Sequence, residues 1–582
     1  MNMMDAAKSQ IEALTQTAYE KAAQAGKLPG GQTVAGQVEV PKDVKNGDWA
    51  TSFALAAAKP LGMNPRQIAQ ILVEEMDLTD TYFSKVDIAG PGFLNFTLGQ
   101  RWFAQALSVI EAEGDSYGRS DAGKGRRVMV EFVSANPTGP MHMGNARGGV
   151  LGDTLAAILD RLGCSVEREF YVNDAGNQIA KFAKSIDCRY LQLIRGEDAV
   201  EFPEDGYHGE DIRELAAAYR AEFGDGLAAE SEEKRQEALA QYGLARNIPK
   251  MKADLLKYGI KYDTWFLEST LHDSGAVAGT VGLLTDKGYT YEQDGALWLN
   301  TTKLLQEKYL REGKTAEQVE KLDLKDDVLR RANGFYTYFA ADIAYHRNKL
   351  QDRGFDTAIN IWGADHHGHV ARLQAALDGL GLDGSHRLII VLMQLVNLLQ
   401  DGKPVRMSKR SGKAIALHDL LDEVSVDAAR FFFNSSKPSS PVDFDLDLAV
   451  REDGENPVYY VQYAHARICS MLAKLQSEEG LTIPAAAEVD MGLLTSAEET
   501  ALLKALARYP SEIRVAAKSL DPSQINHYLV DLAADFHRFY NAHRIKGEAA
   551  AVAQARLKLA DATRAVIANG LGLLGVNAPV KM

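Results

Sequence analysis

Two short stretches carry residue types able to do chemistry on a phosphate. The first is Ser134-Ala-Asn136-Pro-Thr-Gly-Pro140-Met-His142-Met-Gly144-Asn145, set between a strand-like run and a helix-forming one. Its prolines and Gly139 fix a turn, while Gly144 lets a ligand approach the backbone. His142 and Asn145 can donate hydrogen bonds to an anion, and N–H groups at the start of the next helix favour phosphate oxygens. The second stretch, Gly402 to Lys413, holds Lys403, Arg406, Lys409, Arg410 and Lys413 with serine donors between them. Such a loop can close over a triphosphate, with Lys409 neutralising charge on a departing pyrophosphate. Each stretch has a plainer alternative: a tight turn with a surface histidine, and an exposed basic loop. There is no GxxxxGK[ST] sequence, and no GxGxxG follows a strand as dinucleotide binding requires. A nucleotide here needs another device.

The elements around these stretches follow from periodicity. Val128 to Val133 reads as a strand and Val150 to Leu162 as a helix, and strand–loop–helix units recur near Ala358–Trp362 and Leu388–Val396. That pattern predicts a parallel, Rossmann-like α/β sheet with crossover helices. Before it, Ile11, Leu14 and Ala18 keep helical spacing, Ala50 to Leu61 repeats it, and Phe93 to Leu98 alternates as a strand, so a small α+β domain is expected. The glycine-rich Gly114–Gly125 reads as its linker. From about Asn456 onward strand signals vanish, and a helical bundle is expected.

Composition sets the outer limits. The chain has 582 residues and a formal net charge of −15, which argues against bulk attachment to nucleic acid or anionic membrane. Residues 501–582 nevertheless hold eleven basic and six acidic side chains, an asymmetry that hints at a polyanion partner. Cys164, Cys188 and Cys469 form no CxxC pair, so neither a structural zinc nor a disulfide framework is expected, and a reducing cytoplasm is the natural setting. The first residues lack a signal-peptide core. The apolar Leu388–Leu399 run is too short to span a bilayer of about 30 Å and reads as buried.

Taken together and in this order, the two stretches resemble the paired signatures of class I aminoacyl-tRNA synthetases, His-Ile-Gly-His and Lys-Met-Ser-Lys-Ser. The first reads His142-Met-Gly-Asn145, with asparagine for the second histidine; the second reads Arg406-Met407-Ser408-Lys409-Arg410 and keeps the second lysine. Tyr338-Phe-Ala-Ala-Asp342, Trp362-Gly-Ala-Asp365-His366-His367-Gly368, Asp427-Ala-Ala-Arg430, Pro91-Gly-Phe-Leu-Asn-Phe and the ending Leu-Gly-Val-Asn-Ala-Pro-Val-Lys-Met582 narrow the resemblance to arginyl-tRNA synthetases.

That resemblance implies three parts. Residues 1–115 would touch the outer corner of the tRNA, 116–445 would form the catalytic domain with insertions, and 446–582 would read the anticodon. The expected substrates are L-arginine, ATP with Mg2+, and tRNA(Arg), with no tightly bound cofactor, no membrane and a monomeric chain. A guanidinium needs a planar carboxylate partner, which Asp342 or Glu268 could supply, with Tyr338 one helical turn before Asp342. The matching Ser134 and Asn136 would hold the amino-acid head. His142, Gly144, Asn145, His366, His367, Met407, Ser408 and Lys409 would contact ATP. Tyr459, Tyr460, His465 and Arg467 are candidates for tRNA stacking and phosphate contact. Rival readings are a metallohydrolase built on Asp365, His366 and His369, a non-catalytic tRNA-binding paralogue, and a synthetase for another amino acid.

Overall fold

The computed structural model describes residues 2–405 and 415–582. The chain divides into two compact units, one of them 121–452 with 519–523, the other holding both ends of the chain.

The central unit is built on five parallel strands. We number its site-bearing elements in chain order: β1 (Arg127–Glu131), α1 (Met143–Arg161), β2 (Ser165–Val172), β3 (Thr264–Leu267), α2 (Tyr338–Arg347), β4 (Thr357–Gly363), α3 (His367–Leu380) and β5 (Leu388–Met393). The sheet order is β5-β4-β1-β2-β3. Val128, Met129 and Val130 of β1 are buried on both faces, as a strand covered by helices on either side must be. The order reverses at β1, so a crevice opens beyond the C-terminal ends of β1 and β4.

Two expectations change here. The helix after β1 starts at Met143, not Val150, because four glycines (Gly144, Gly148, Gly149, Gly152) dilute its helical pattern. Two of them permit close packing: a Cβ on Gly152 would lie 2.1 Å from Phe132 Cγ, and one on Gly149 would lie 2.8 Å from Ile260 Cδ1. Gly148 meets only ordinary contact, with Met393 at 3.7 Å. The apolar Leu388–Leu399 run, expected to hold one strand to Val396, is two strands. Gln394 N–H donates to Pro438 O, and the buried Arg147 of α1 donates to Gln394 O at 2.7 Å. Leu395 is left 79 % exposed. The second strand, Val396–Gln400, pairs in parallel with Val442–Asp445 and antiparallel with Lys403–Pro404. Long insertions separate β2, β3 and β4; the first holds three helices around Phe182, Ile186, Tyr190 and Leu239.

In the other unit, a four-stranded antiparallel sheet and its helices pack with the four C-terminal helices Pro457–Glu479, Ala497–Ser519, Ser523–Ala542 and Ala550–Leu573. The α+β segment and the helical bundle, distant in sequence, thus share one body: Tyr117 Oη–H donates to Leu506 O at 3.0 Å, and Lys558 pairs with Glu111. Among the described residues, no helix is long and apolar enough to cross a membrane.

Candidate active site

A strained turn ends β1. Val133 and Ser134 have φ of 70° and 45°, rare for residues with a Cβ, and Ser134 N–H closes a γ-turn onto Phe132 O at 3.0 Å. The turn sets the Ser134 hydroxyl over Glu131, to which it donates at 2.9 Å while accepting Tyr171 N–H at 3.2 Å. Ser134, Tyr171, Asp342 and His366 line one cavity of about 250 Å³ in the crevice.

Asp342 stands on α2, where His369 Nε2 of α3 lies 2.9 Å from its carboxylate. Tyr338, one turn earlier, is 43 % exposed, and its hydroxyl accepts Asn177 N–H at 3.0 Å. Glu268, just past β3, is buried behind Tyr171 and lies 3.5 Å from His272. Burial pushes its carboxyl above the ordinary range, and the like charge of Asp342 adds to the rise. Two of the candidate amino-acid residues, Ser134 and Asp342, therefore line this one cavity, and Glu268 is buried behind its Tyr171 wall. Asn136 is exposed on the loop beyond them.

The phosphate side is formed by the start of α1. His142 is its N-cap residue, and Asn145 Oδ1 accepts His142 N–H at 3.0 Å. Asparagine thus holds the helix start with its oxygen, which leaves its Nδ2 as the donor. Partial burial lowers the pKa of His142, although the residue stays exposed at the surface, and this favours the neutral ring. A Cβ on Gly144 would meet only that ring, at 3.4 Å. Arg147 ties the helix down through the carbonyls of Gln394, Lys437 and Ser440, and buried Arg430 pairs with Asp153 at 2.6 Å. Both flanks of the second signature are anchored: Val405 N–H donates to Leu398 O, and Ala416 bridges to His142. Met407, Ser408 and Lys409 themselves lie outside the described residues. His366 and His367 are exposed at the start of α3. Of the pair that could have held a metal, His369 is engaged with Asp342 and the His366 side chain is 61 % exposed.

Sequence reasoning missed Glu131, Tyr171, His346 and Lys349, which support this wall. A signal existed for one of them: Glu131 ends the apolar run Val128–Val130, where burial makes a carboxylate costly unless it is paired.

In the other unit, Tyr459, Tyr460, Tyr463, Arg467 and His537 line a shallow cavity of about 430 Å³. Tyr459 and Tyr463 stack at 6.0 Å, and the Arg467 guanidinium lies over Tyr463 at 4.6 Å. Burial and Arg467 push the His537 ring down to about 4, so it is neutral. His465 is buried, and its Nδ1–H donates to Pro579 O at 2.8 Å, so it faces inward and not into this cavity.

The parallel sheet, the helix N-terminus at its crevice and the anchored flanks of the second signature define a class I aminoacyl-tRNA synthetase. Family models match in order: an arginyl tRNA synthetase N terminal domain over residues 9–98, the class I (R) tRNA synthetase catalytic domain over 107–208 and 258–460, and a DALR anticodon binding domain over 461–582. The arginine–tRNA ligase of Acetivibrio thermocellus is 50 % identical over 581 residues, covering 100 % of both chains, and that of Caldanaerobacter subterraneus is 51 % identical over the same span. The fold is that of Thermus thermophilus arginyl-tRNA synthetase, with a TM-score of 0.72 at 22 % identity, covering 98 % of this chain and 100 % of that one. The chain belongs to the arginyl-tRNA synthetase family and is a ligase.

Proposed function

We propose that the chain activates L-arginine with ATP and Mg2+, then transfers the arginyl group to the 3′-terminal adenosine of tRNA(Arg). It works as a cytoplasmic monomer. The observation that carries this reading is a pair of carboxylates made for a cation. Among the described residues, Asp342 and Glu268 have only histidines as ionic partners, and both stand beside the crevice that α1 enters.

Asp342 takes the guanidinium in a planar, charge-assisted contact, Glu268 adds negative charge from behind, and Tyr338 closes the rim. Ser134 and Asn136 hold the amino-acid head. The arginine carboxylate then attacks the α-phosphorus, and pyrophosphate leaves with the electron pair of the broken P–O bond. Neutral His142, the Asn145 amide and the N–H groups at the start of α1 stabilise the α-phosphate oxygens. His366 and His367 serve the nucleotide side, and Lys409, with Met407 and Ser408, the departing pyrophosphate. In the second step a ribose hydroxyl attacks the arginyl carbonyl and AMP leaves. No side-chain nucleophile is required; the work is positioning and charge stabilisation. Residues 1–115 contact the outer corner of the tRNA, and the bundle of 446–582 reads the anticodon through Tyr459, Tyr460 and Arg467.

The test assigns one substrate to each region. In aminoacylation assays, Asp342→Asn should raise the KM for arginine, His142→Ala should lower kcat, and Arg467→Ala should raise the KM for tRNA. A variant that moves all parameters together would refute its assignment.

A further inference from the structure

The carboxylates around Tyr171 and Tyr345 fall into two kinds. Glu169 is paired with Arg353, and Glu131 with Lys349, whose side chain has no exposure at all. Asp342 and Glu268 have histidine partners instead, His369 at 2.9 Å and His272 at 3.5 Å. A fully buried ammonium cannot touch a ligand, yet this one orients both walls of the cavity. On one side, Lys349 holds Glu131, whose other oxygen accepts the Ser134 hydroxyl at 2.9 Å and so supports the strained turn. On the other side, Lys349 donates to Asn360 Oδ1 at 3.2 Å. That contact turns the Asn360 amide so that its Nδ2–H donates to His346 Nε2 at 2.7 Å. His346 must then carry its proton on Nδ1, which donates to the Asp342 carbonyl at 2.8 Å.

We propose that Lys349 is a positioning residue for arginine. It cancels the charge of Glu131, keeps that carboxylate on Ser134, and leaves the pull on a substrate cation to Asp342 and Glu268. This rests on reading the cavity as the arginine site. Without Lys349, Glu131 is a buried carboxylate facing the pocket with no counter-ion. It must then either take up a proton near neutral pH or compete for the guanidinium.

The test uses the full-length enzyme with Lys349→Met, alone and combined with Glu131→Gln. The single variant should raise the KM for arginine about tenfold with the KM for ATP within about twofold, the split that marks lost binding of one substrate. Its kcat/KM for arginine should also gain an ionisation that the parent profile lacks. The double variant should lose that ionisation and recover most of the arginine KM. An unchanged arginine KM and pH profile in a folded Lys349→Met protein would overturn the proposal. So would a double variant as impaired as the single one. If Lys349→Met does not fold, the double variant decides alone: an arginine KM near the parent value supports the proposal, and a tenfold rise overturns it. Asp342→Asn is the control. No arginine effect there would refute the reading of the cavity, whereas an effect there and none at Lys349 would refute only this proposal.

Discussion

Replacing Asp342 by asparagine removes one charge and almost no volume. The amide oxygen can still accept from His369, 2.9 Å away in the native pocket, so α2 and α3 keep their contact. What is lost is the anionic partner of the guanidinium. A hydrogen bond to a charged group contributes about 1.5–3 kcal/mol. The Asp342 side chain is 33 % exposed, so water screens part of that interaction, and the lower half of the range applies. A loss of about 2 kcal/mol corresponds to about a 30-fold rise in the arginine KM, at about 1.4 kcal/mol per factor of ten. On the proposed reading the ATP phosphates meet the start of α1 and not Asp342, so the KM for ATP should stay within about twofold. Steady-state aminoacylation, with arginine and ATP each varied at saturating levels of the other substrates, measures both. Equal rises in the two constants would mean that Asp342 supports the fold of the site and not the guanidinium, and the assignment would fail.

The raised carboxyl of Glu268 gives a pH dependence of known sign. A guanidinium favours the ionised form, so kcat/KM for arginine should fall as pH drops through that raised pKa and level off above it; Glu268→Gln should abolish the acidic limb, and a limb that persists would assign it elsewhere. Lys409→Ala should slow adenylate formation with little change in arginine KM, and a normal activation rate would remove that loop from the chemistry. Gly152→Ala places a Cβ 2.1 Å from Phe132 Cγ; strain of about 3 kcal/mol against about 1 kcal/mol returned in helix propensity should lower the melting temperature, and an unchanged melting curve would show that the helix–strand contact yields freely.

The fold was legible where one physical signal dominated. Val128–Glu131 and Thr357–Gly363 lie between covering helices, so their apolar runs announced strands. The signal weakened where packing overrode propensity: glycines needed against Phe132 masked half of α1, and a tertiary contact from Arg147 cut one apolar run into two strands. At the site, the residues of short motifs were visible, including the Tyr338/Asp342 helical pair. Their support was not. Glu131 is distant in sequence from Asn360 and Lys349, and only the parallel pairing of β1 with β4 brings it beside Asn360, at Asn360↔Glu131. A motif records what touches a ligand; a counter-ion behind it leaves no local pattern.

Charge in the C-terminal helices shows the converse, a sequence signal that structure absorbs. The eleven cations of residues 501–582 read as a surplus for a polyanion, yet most are engaged within their own unit. Lys504 pairs with Asp48, Arg514 with Asp5, Lys558 with Glu111, Arg556 with Glu499, Arg538 with Asp535, Arg564 with Asp561 and Lys546 with Glu479. The surplus is therefore no measure of a free basic face. The surface offered beside Tyr459 is aromatic, with Arg467 lying over both Tyr463 and Tyr540, at 4.6 and 5.0 Å. Base stacking contributes about 1–3 kcal/mol per base and varies little with salt, whereas each neutralised phosphate of a single strand steepens the log–log salt slope by about 0.7. If stacking dominates, Tyr463→Ala should raise the tRNA KM by about tenfold or more at every salt concentration, without changing the slope. Arg467→Ala should raise it too, but flatten the slope by no more than about one contact. A Tyr463→Ala enzyme with an unchanged tRNA KM, or an Arg467→Ala enzyme that loses most of its salt dependence, would mean that charge and not stacking holds the tRNA.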